Sequence, residues 1–567
     1  MKQILTIRNI CGNIITMLEK LKFLYGEEKG KQAALEIEKL ILGVKTKIKR
    51  DYREFWSEKD IFLITYADSF QEKNTLTLKT LSKILQLHLK GIISGVHILP
   101  FYPFSSDRGF SITDYQKVKK EFGTWDDIIY VANNYRLMAD LVLNHVSVKH
   151  EWFQEFLRGN PKYENYFISF EEDKVPWEDL KKVIRSRSTP LVTPFETKNG
   201  KRQVWTTYSV GNFTDQVDLN YQNTEVLLEI IKVLLNLLVR GVRIFRLDAI
   251  SSIWKELGTT CRNLPQTHTI IKLIRQILDE LCPSALLVTE VNTSSLAENI
   301  KYLGDGKDEA QIFYNFPLAA VLLHTFYSGN SSRLNELIMN LPELKPGNSL
   351  FNILDIHDGY NTHLAKEYLT ESEFTKVFKK VEQHGGKFSY RIGPDGKKII
   401  KEMNITWWSA ITDKEDPFDL KLRKFITSRA ISMAIRGIPA VYYLSFVGGE
   451  NDYDLLGKSK HARDINRTRL NHDLLTAKLA DPTSKEAKVL DATVELIKKR
   501  KWFKAFHPNS RQEILELDDR VFVVLRGDGS DQVIALHNFS NDQVEVKYKD
   551  KGFILEPYGF LWKLINF

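Results

Sequence analysis

The sequence predicts an α/β protein built around a (β/α)8 barrel of the TIM type, and three observations support that fold. From about residue 61 onwards, short runs of β-forming residues alternate with segments whose apolar residues recur at helical spacing. Acidic residues follow several of these runs, at the position where a barrel carries its functional groups. The chain has 567 residues, which is enough for one barrel and accessory domains.

The predicted barrel strands are short runs rich in branched and aromatic residues. Between them, segments such as residues 224–241 and 268–281 have the apolar spacing of amphipathic helices. Strands that alternate with helices in this way form a parallel sheet, which at this length closes into a barrel. The runs are, in chain order, IFLITY, GVHILP, LMADLVLNH, VRIFRLDAI, ALLVTEV, SLFNILDIHD and IPAVYYLS.

Two long insertions and a different C-terminal pattern complete the predicted organisation. Insertions of this length in a compact domain usually carry function, and the second contains the turn RIGPDGKKI. The final runs alternate apolar and polar residues between Gly, Asp and Asn turns, which predicts an antiparallel sheet. We predict an N-terminal helical extension over 1–58, a barrel formed by 59–103, 216–358 and 408–504, an inserted B domain over 104–215, an inserted B′ region over 359–407 and a C-terminal β-domain over 505–567.

The composition excludes several classes of protein. The net charge of +8 is spread thinly, and no nucleic-acid-binding module is recognisable. No apolar run reaches the roughly 18–20 residues of a membrane span, and the N-terminus is interpreted as a helix rather than a signal peptide. The three cysteines are scattered, so neither a disulfide framework nor a metal spacing is expected. We expect a cytoplasmic protein.

The candidate site residues stand at the ends of the predicted strands. Each acid taken alone could be a helix N-cap, and the pair Arg246 and Asp248 could be a structural ion pair, because residues two apart on a strand point to the same side. Caps, however, do not require an arginine and two histidines beside them. The strand ends carry Asp68, Asp140 with Asn144 and His145, Arg246 with Asp248, Glu290, and His357 with Asp358.

Carboxylates around one pocket suit glycosyl transfer, which uses one ionised carboxylate as nucleophile and one protonated acid for the leaving oxygen. We expect Arg246 to lower the pKa of Asp248, and apolar surroundings to keep Glu290 protonated longer. These opposite effects would make Asp248 the nucleophile and Glu290 the acid/base.

Four segments of the sequence resemble the ordered sequence blocks of the α-amylase superfamily: DLVLNHVS, FRLDAI, LVTEVN and LDIHDG. The resemblance implies a barrel with an inserted B domain and a C-terminal β-domain. It also implies that Asp248 is the nucleophile, Glu290 the acid/base and Asp358 the stabiliser of the transition state. His145, Arg246 and His357 would hold the donor glucose.

Further segments are similar to the sucrose-phosphorylase-like branch, and within it to enzymes acting on glucosylglycerate or sucrose 6-phosphate. They are ITYADS, HILPFYPFSSDRGFSITDY, VWTTYS followed by DQVDLNY, WKELGTTC followed by LPQTH, and HARDINR. The resemblance implies that Asp68 and Arg463 grip the glucose. It also implies that Arg187, in VIRSRSTPLVT, contacts an anion on the acceptor side, although a solvated basic loop is the alternative. Lys401, Lys460 and His461 add positive charge to segments expected to frame that side.

These observations predict a retaining glucoside phosphorylase that converts a small α-glucoside, first of all 2-O-α-glucosylglycerate, and phosphate into α-glucose 1-phosphate. The alternatives are a sucrose or sucrose 6-phosphate phosphorylase, a transglucosidase or hydrolase, and an inactive amylase-like binding subunit. Inorganic phosphate is the expected co-substrate, and no cofactor and no metal is expected. We expect neither nucleic acid nor membrane as a partner, and a homodimer is a candidate assembly.

Overall fold

Eight parallel strands close into the barrel that the strand–helix alternation predicts. The computed structural model describes residues 15–49, 51, 54–184, 190–208, 214–291, 295–392 and 397–565. Each barrel strand neighbours the next one along the chain, and the first neighbours the last. The strands are β1 (Phe62–Thr65), β2 (Gly95–Ile98), β3 (Arg136–Val142), β4 (Ile244–Asp248), β5 (Leu286–Thr289), β6 (Ile312–Tyr314), β7 (Ser349–Ile353) and β8 (Ile438–Tyr442).

Every residue of these eight strands is buried. Helices cover the outside of a parallel barrel and side chains fill its inside, so its strands read as continuous apolar runs rather than as alternating ones. Seven of the eight strands coincide with runs recognised in the sequence. Strand β6 was missed because it has only three residues, IFY, and so short a run does not stand out from its surroundings.

A helix follows each barrel strand at some point before the next one begins. Pro265 and Pro317 each occupy the first position of a helix, where the missing backbone N–H costs no hydrogen bond. Thr124 and Asp127 form a capping box at the start of another. The eight helices are Thr77–Ile84, Trp125–Asn134, Thr224–Val239, Pro265–Leu281, Leu296–Ile300, Pro317–Ser328, Phe418–Ala434 and Lys485–Trp502.

Contacts within the chain divide it into two compact units. The first unit comprises Met1–Phe55, Ile98–Val291 and Tyr302–Gln311, and it carries β3, β4 and β5. The second comprises Trp56–His97, Asn292–Lys301 and Ile312–Phe567, and it carries β1, β6, β7 and β8. This division differs from the domain boundaries expected from the sequence, which stay a prediction.

In the first unit, the described residues of the N-terminal extension include two helices. Residues 15–25 are helical, and the helix Glu27–Lys45 packs against the helix Thr224–Val239. Gly30 allows the two N-terminal helices to approach closely, because a Cβ there would come within 2.7 Å of the backbone nitrogen of Lys22. Tyr25 donates a hydrogen bond of 3.0 Å to the carbonyl of Tyr221, which fixes the extension to the rest of the unit.

The insertion between β3 and its helix also belongs to the first unit. Its strands Ser169–Glu171, Val192–Thr197 and Gly200–Trp205 form an antiparallel sheet with the last of them in the centre. A second antiparallel pair joins His145–Ser147 to Gln216–Asp218. The short helices Glu151–Leu157 and Trp177–Leu180 lie between these strands in the sequence.

A buried lysine stabilises this insertion. Lys255 is 4% exposed, and its Nζ lies 2.8 Å from Oδ2 of Asp218 and donates a 2.5 Å hydrogen bond to Oδ1 of Asn144. Asn144 in turn donates to Asp218 at 3.0 Å. A buried charge is tolerated when it is paired and hydrogen-bonded, so these three side chains lock the end of β3 to the strand Gln216–Asp218.

In the second unit, the insertion after β7 forms a three-stranded antiparallel sheet, and the C-terminal residues form antiparallel sheets as the sequence predicts. The strands of the insertion are Tyr360–Asn361, Lys387–Ile392 and Lys398–Asn404, with the helix Glu371–Gln383 between the first two in the sequence. The C-terminal strands are Gln512–Asp518, Val521–Arg526, Val533–Asn538 and Phe560–Leu564 in one sheet, and Val544–Tyr548 and Lys551–Leu555 in another.

The C-terminal sheets enclose an apolar core of their own. Val523, Leu525, Ile534 and Leu536 supply four of its fully or almost fully buried side chains. Across the described part of the chain, no helix combines the length and the apolar character that crossing a membrane requires.

The buried lysine gives a first testable prediction. Lys255→Met should lower the free energy of unfolding by about 3–5 kcal/mol, because Asp218 is left as an uncompensated buried charge. The measurement is the shift of the denaturation midpoint in urea. The control Lys232→Met removes an exposed lysine that pairs with Glu229 and should cost less than about 1 kcal/mol.

A second substitution separates loss of charge balance from loss of packing. Adding Asp218→Asn to the Lys255→Met variant should recover part of the lost stability, since the buried negative charge is then gone. A double variant that is less stable than Lys255→Met alone would contradict this account of the lysine.

Candidate active site

Six of the side chains singled out in the sequence lie at or just beyond the carboxyl ends of barrel strands, where barrel enzymes keep their chemistry. In the first unit, Asp248 ends β4, Glu290 follows β5, and His145 lies three residues beyond β3. In the second unit, Asp68 follows β1, and His357 with Asp358 follows β7.

Arg246 is the centre of the group in the first unit. Arg246 on β4 is in register with Asp140 on β3, and its Nη1 donates 2.5 Å and 2.6 Å hydrogen bonds to Oδ1 of Asp140 and Oδ1 of Asp248. The arginine is 2% exposed and Asp248 is 8% exposed. One buried cation between two carboxylates fixes the orientation of Asp248 at the strand end.

The protonation of Asp248 differs from the sequence-based expectation. Burial raises the pKa of Asp248 to about 7, and the negative charges of Glu290 and Asp140 raise it too, although Arg246 acts to lower it. Arg246 does act to lower the pKa of Asp248, as expected, but burial outweighs it and the net shift is upward. The depth of burial was not visible in the sequence.

The backbone just after Asp248 places the second carboxylate. Ala249 has a left-handed conformation with φ of 50°, which is uncommon for a residue with a Cβ. Its N–H donates a 3.1 Å hydrogen bond to Oε2 of Glu290, while the N–H of Glu290 donates to the carbonyl of Leu247 at 3.1 Å. The strained turn thus ties the carboxylate of Glu290 to the strand end that carries Asp248.

Tyr208 and Ser252 belong to the same group and were not recognised in the sequence. The ring of Tyr208 lies 5.6 Å from the ring of His145, and its hydroxyl is 3.3 Å from Oγ of Ser252. Both His145 and Ser252 are buried. Tyr208 sits in VWTTYS, a segment that resembles the sucrose-phosphorylase-like branch, but the resemblance assigned no role to this tyrosine.

In the second unit, Arg463 joins two carboxylates. Its Nη1 lies 2.5 Å from Oδ1 of Asp358, while its Nε and Nη2 donate to Oε2 and Oε1 of Glu402 at 2.9 and 2.6 Å. Although burial raises the pKa of Glu402, the charges of Arg463 and Lys401 outweigh this and lower it to about 2. Glu402 is therefore ionised at neutral pH and clamps Arg463 beside Asp358.

Arg467 is a second arginine of the RDINR motif and was missed by the sequence analysis. It is 3% exposed, donates from Nε to the carbonyl of His357 at 2.8 Å, and lies 3.5 Å from Oδ1 of Asp358. Asn466 donates to the carbonyls of Ile356 and Asp358 at 3.1 and 3.2 Å. The side chains of Asn466 and Arg467 therefore hold the turn after β7. The sequence alone gave no reason to choose these two residues over their neighbours.

Asp68 and Arg463, which the resemblance assigns to the glucose, have separate ionic partners. Asp68 accepts a hydrogen bond of 2.8 Å from Nε of Arg469, and its Oδ2 lies 2.7 Å from Nη2 of the same arginine. Arg463 contacts Asp358 and Glu402 instead. Lys401, expected to add charge on the acceptor side, lies 3.1 Å from Oε1 of Glu402.

Arg187 lies outside the described residues, so its predicted contact with an anion stays a prediction. The described residues on either side of it have defined partners. Ile184 donates its backbone N–H to the carbonyl of Thr260 at 3.1 Å, and the carbonyl of Pro190 accepts from Oγ1 of Thr206 at 3.3 Å.

One cluster among the described residues has the donor types of a metal site. Glu72, His472 and Asp473 place ligand atoms within 4.8 Å of one another in the second unit. Glu72 already pairs with Lys83 at 2.7 Å, and none of the three follows a barrel strand directly.

Comparison with known proteins shows the family to which the chain belongs. Residues 64–358 match the model of the α-amylase catalytic domain, a range that begins in β1 and ends at Asp358. The chain is 39% identical over 557 residues to a glucosylglycerate phosphorylase of Allomeiothermus silvanus, covering 96% of this chain and 98% of that protein. It is 39% identical over 554 residues to a glucosylglycerate phosphorylase of Spirochaeta thermophila, covering 96% and 92%.

A solved structure shares the architecture over most of its length. The crystal structure of sucrose 6F-phosphate phosphorylase from Thermoanaerobacter thermosaccharolyticum superposes with a TM-score of 0.75 at 25% identity, covering 89% of this chain and 98% of that one. The chain therefore belongs to the α-amylase family, in the sucrose-phosphorylase-like branch that includes the glucosylglycerate phosphorylases.

Proposed function

We propose that this chain is a retaining glucoside phosphorylase whose preferred reaction converts 2-O-α-glucosylglycerate and inorganic phosphate into α-glucose 1-phosphate and glycerate. The observation that carries the proposal is the arrangement around Asp248, a buried carboxylate fixed by Arg246 and tied through Ala249 to a second carboxylate, Glu290. The two glucosylglycerate phosphorylases of similar sequence support the choice of substrate.

The first half-reaction transfers the glucosyl unit to the protein. The carboxylate of Asp248 attacks the anomeric carbon, the bond from that carbon to the glycerate oxygen breaks, and Glu290 gives its proton to that oxygen. The negative charge of Asp248 is consumed as the ester forms. Arg246 keeps the attacking oxygen aimed and then remains paired with Asp140.

The second half-reaction releases the product. Glu290, now ionised, takes a proton from the phosphate, whose oxygen attacks the same carbon, and the ester bond to Asp248 breaks. Two inversions at one carbon give overall retention, so α-glucose 1-phosphate leaves from an α-glucoside. The reaction uses phosphate as its co-substrate, and we propose that it needs no cofactor and no metal.

The remaining residues have supporting roles in this proposal. Asp358 stabilises the positive charge that develops on the sugar, while its carboxylate is kept in place by Arg463 and Arg467. His145 and His357 contact the glucose, and so do Asp68 and Arg463. Arg187 contacts the anion on the acceptor side.

Two other functions are distinguished from the proposed one by a single assay. A sucrose 6-phosphate phosphorylase is favoured by the structural similarity to the enzyme from Thermoanaerobacter thermosaccharolyticum, and a transglucosidase or hydrolase would use a sugar or water as acceptor. The test is release of glucose 1-phosphate, with and without phosphate, from glucosylglycerate, sucrose, sucrose 6-phosphate and glucosylglycerol. Turnover that does not depend on phosphate would contradict a phosphorylase.

Replacing the proposed nucleophile should stop the reaction without unfolding the protein. Asp248→Asn keeps the shape of the side chain but cannot form the ester, so kcat/KM should fall by at least about a thousandfold. The measurement is phosphate-dependent release of glucose 1-phosphate, with circular dichroism to check the fold. Activity within about tenfold of the wild type would refute the role of Asp248.

Replacing the proposed acid should give a loss that depends on the leaving group. Glu290→Gln should lower kcat/KM on glucosylglycerate by about a hundredfold or more, because the leaving oxygen needs a proton. The loss on α-glucosyl fluoride should be much smaller, since fluoride leaves without protonation. Equal losses on the two donors would exclude Glu290 as the acid.

The buried Asp248 should also make stability depend on pH. Its folded pKa of about 7 lies above the value of about 3.9 in an unfolded chain, so its ionisation costs more in the folded state. The stability that the protonated group contributes is complete below about pH 4 and is lost as the pH rises through 7.

Asp248→Asn removes this ionisation. The melting temperature of the variant relative to the wild type should therefore rise between pH 5 and pH 8, as measured by thermal denaturation at several values of pH. Asp173→Asn, at an exposed carboxylate, is the matched control and should show no such trend. If the difference in melting temperature between Asp248→Asn and the wild type stays constant or shrinks with rising pH, ionisation of Asp248 does not destabilise the folded protein.

A further inference from the structure

We infer that Tyr302 and Asn263 are positioning residues for the proposed acid Glu290, which they hold through the turn that follows Asp248. This inference rests on the proposed function and adds to it two residues that have no role there. Both lie in the first unit, as do Asp248 and Glu290. Asn263 stands between WKELGTTC and LPQTH, two segments that the proposed mechanism does not use.

The segment that carries Tyr302 is fixed to β5, the strand that Glu290 follows. The backbone N–H of Gln311 donates to the carbonyl of Leu287 at 3.1 Å, and the N–H of Leu287 donates to Oε1 of Gln311 at 3.0 Å. The N–H of Ala310 donates to the carbonyl of Tyr302 at 3.0 Å and closes the segment into a loop. These bonds hold Tyr302 in a fixed position relative to β5.

Two side chains hold the ring of Tyr302. The ring is fully buried, and its centroid lies 4.6 Å from that of His268 at an interplanar angle of 30°. Nδ1 of His268 lies 2.8 Å from Oε2 of Glu309, which belongs to the same loop as Tyr302 and is 3% exposed. Because the ring is stacked and enclosed, the direction of its hydroxyl is set by packing.

Asn263 links this hydroxyl to the turn that follows Asp248. The hydroxyl of Tyr302 donates a 2.6 Å hydrogen bond to Oδ1 of Asn263, and the N–H of Asn263 donates to the carbonyl of Ser251 at 2.9 Å. Asn263 has φ of 56°, in the left-handed region that asparagine enters more readily than most residues. It therefore binds the loop through its side chain and the turn through its backbone.

The turn itself completes the path to Glu290. Ser251 lies in the middle of it, and the N–H of Ser252 donates to the carbonyl of Ala249 at 3.3 Å. The N–H of Ala249 then binds Oε2 of Glu290 at 3.1 Å. The left-handed conformation of Ala249 persists only where the surroundings enforce it, and the contact from the loop supplies that support.

The two proposed catalytic groups depend on this turn to different degrees. Asp248 is held from the barrel by Arg246 at 2.6 Å, so a shift of the turn leaves its main contact in place. Glu290 would lose the N–H that fixes its carboxylate. Proton transfer needs the acid within about 2.6–3.2 Å of the leaving oxygen, so misplacement of Glu290 slows only reactions whose leaving group needs a proton.

The test measures kcat/KM for two glucosyl donors at a fixed concentration of phosphate, because this constant reports the first half-reaction. Tyr302→Phe removes one hydroxyl and keeps the ring against His268. It should lower kcat/KM on glucosylglycerate about fivefold to tenfold and change that on α-glucosyl fluoride by less than about twofold. Tyr25→Phe removes a tyrosine hydroxyl from the N-terminal extension and is the matched control, which should leave the ratio of the two constants unchanged.

Two further variants separate the side chain of Asn263 from its backbone. Asn263→Gly permits the positive φ but removes Oδ1, so it should give the same selective loss as Tyr302→Phe. Asn263→Asp keeps an oxygen that accepts from Tyr302 and should retain more activity on glucosylglycerate than Asn263→Gly. Because Asn263→Gly and Tyr302→Phe break the same hydrogen bond, the double variant should lose no more than the more affected single variant.

The outcomes separate this inference from the proposed function, with Glu290→Gln measured on the same two donors. Equal losses on both donors in Tyr302→Phe, no loss on either, or losses that multiply in the double variant would show that the pair does not position Glu290. If Glu290→Gln is selective in that case, the proposed function stands. If Glu290→Gln itself loses activity equally on both donors, or the wild type releases no glucose 1-phosphate, the proposed mechanism fails and this inference fails with it.

Discussion

The arrangement of the first unit depends on one buried cation, Arg246, held between Asp140 and Asp248. A guanidinium that is 2% exposed is costly unless its hydrogen bonds are made, so the three side chains must be placed together. Adjacent parallel strands supply that placement, because Arg246 and Asp140 are in register and Asp248 lies two residues further on the same side. The ion pair between Arg246 and Asp248 has a structural role, and it also fixes the orientation of Asp248, the proposed nucleophile.

The residues that follow Arg246 on the chain include features that lower stability and that are common in active sites. Asp248 is buried deeply enough to raise its pKa to about 7, and Ala249 adopts a conformation that a residue with a side chain usually avoids. Lys255, Asp218 and Asn144 bring a further buried charge into the neighbouring insertion. The burial of Asp248 and the conformation of Ala249 each cost stability in isolation, and the turn at Ala249 fixes the position of Glu290.

Much of the barrel and of the candidate site could be predicted from the sequence, because the sequence of a barrel strand shows both an apolar run and the polar residue that follows it. The strand ends led to Asp248, Glu290 and Asp358 without any three-dimensional information. Strand β6 was too short to be recognised, and the net pKa of Asp248 depends on burial that only packing determines. The partner of Asp68 and the buried position of Arg467 were equally hidden, since Arg463, Arg467 and Arg469 stand within seven residues of one another. Lys255 reads in the sequence as an ordinary loop lysine, whereas folding buries it.

The central claim is that glucose is transferred through an ester with Asp248. The most direct measurement is mass spectrometry of the Glu290→Gln variant after brief incubation with α-glucosyl fluoride in the absence of phosphate. Because the variant has lost the base that activates the acceptor, the ester should accumulate. The account predicts one added hexosyl unit, located by proteolysis on the peptide that contains Asp248. A hexosyl unit on another residue, or turnover of the fluoride with inverted stereochemistry, would contradict it.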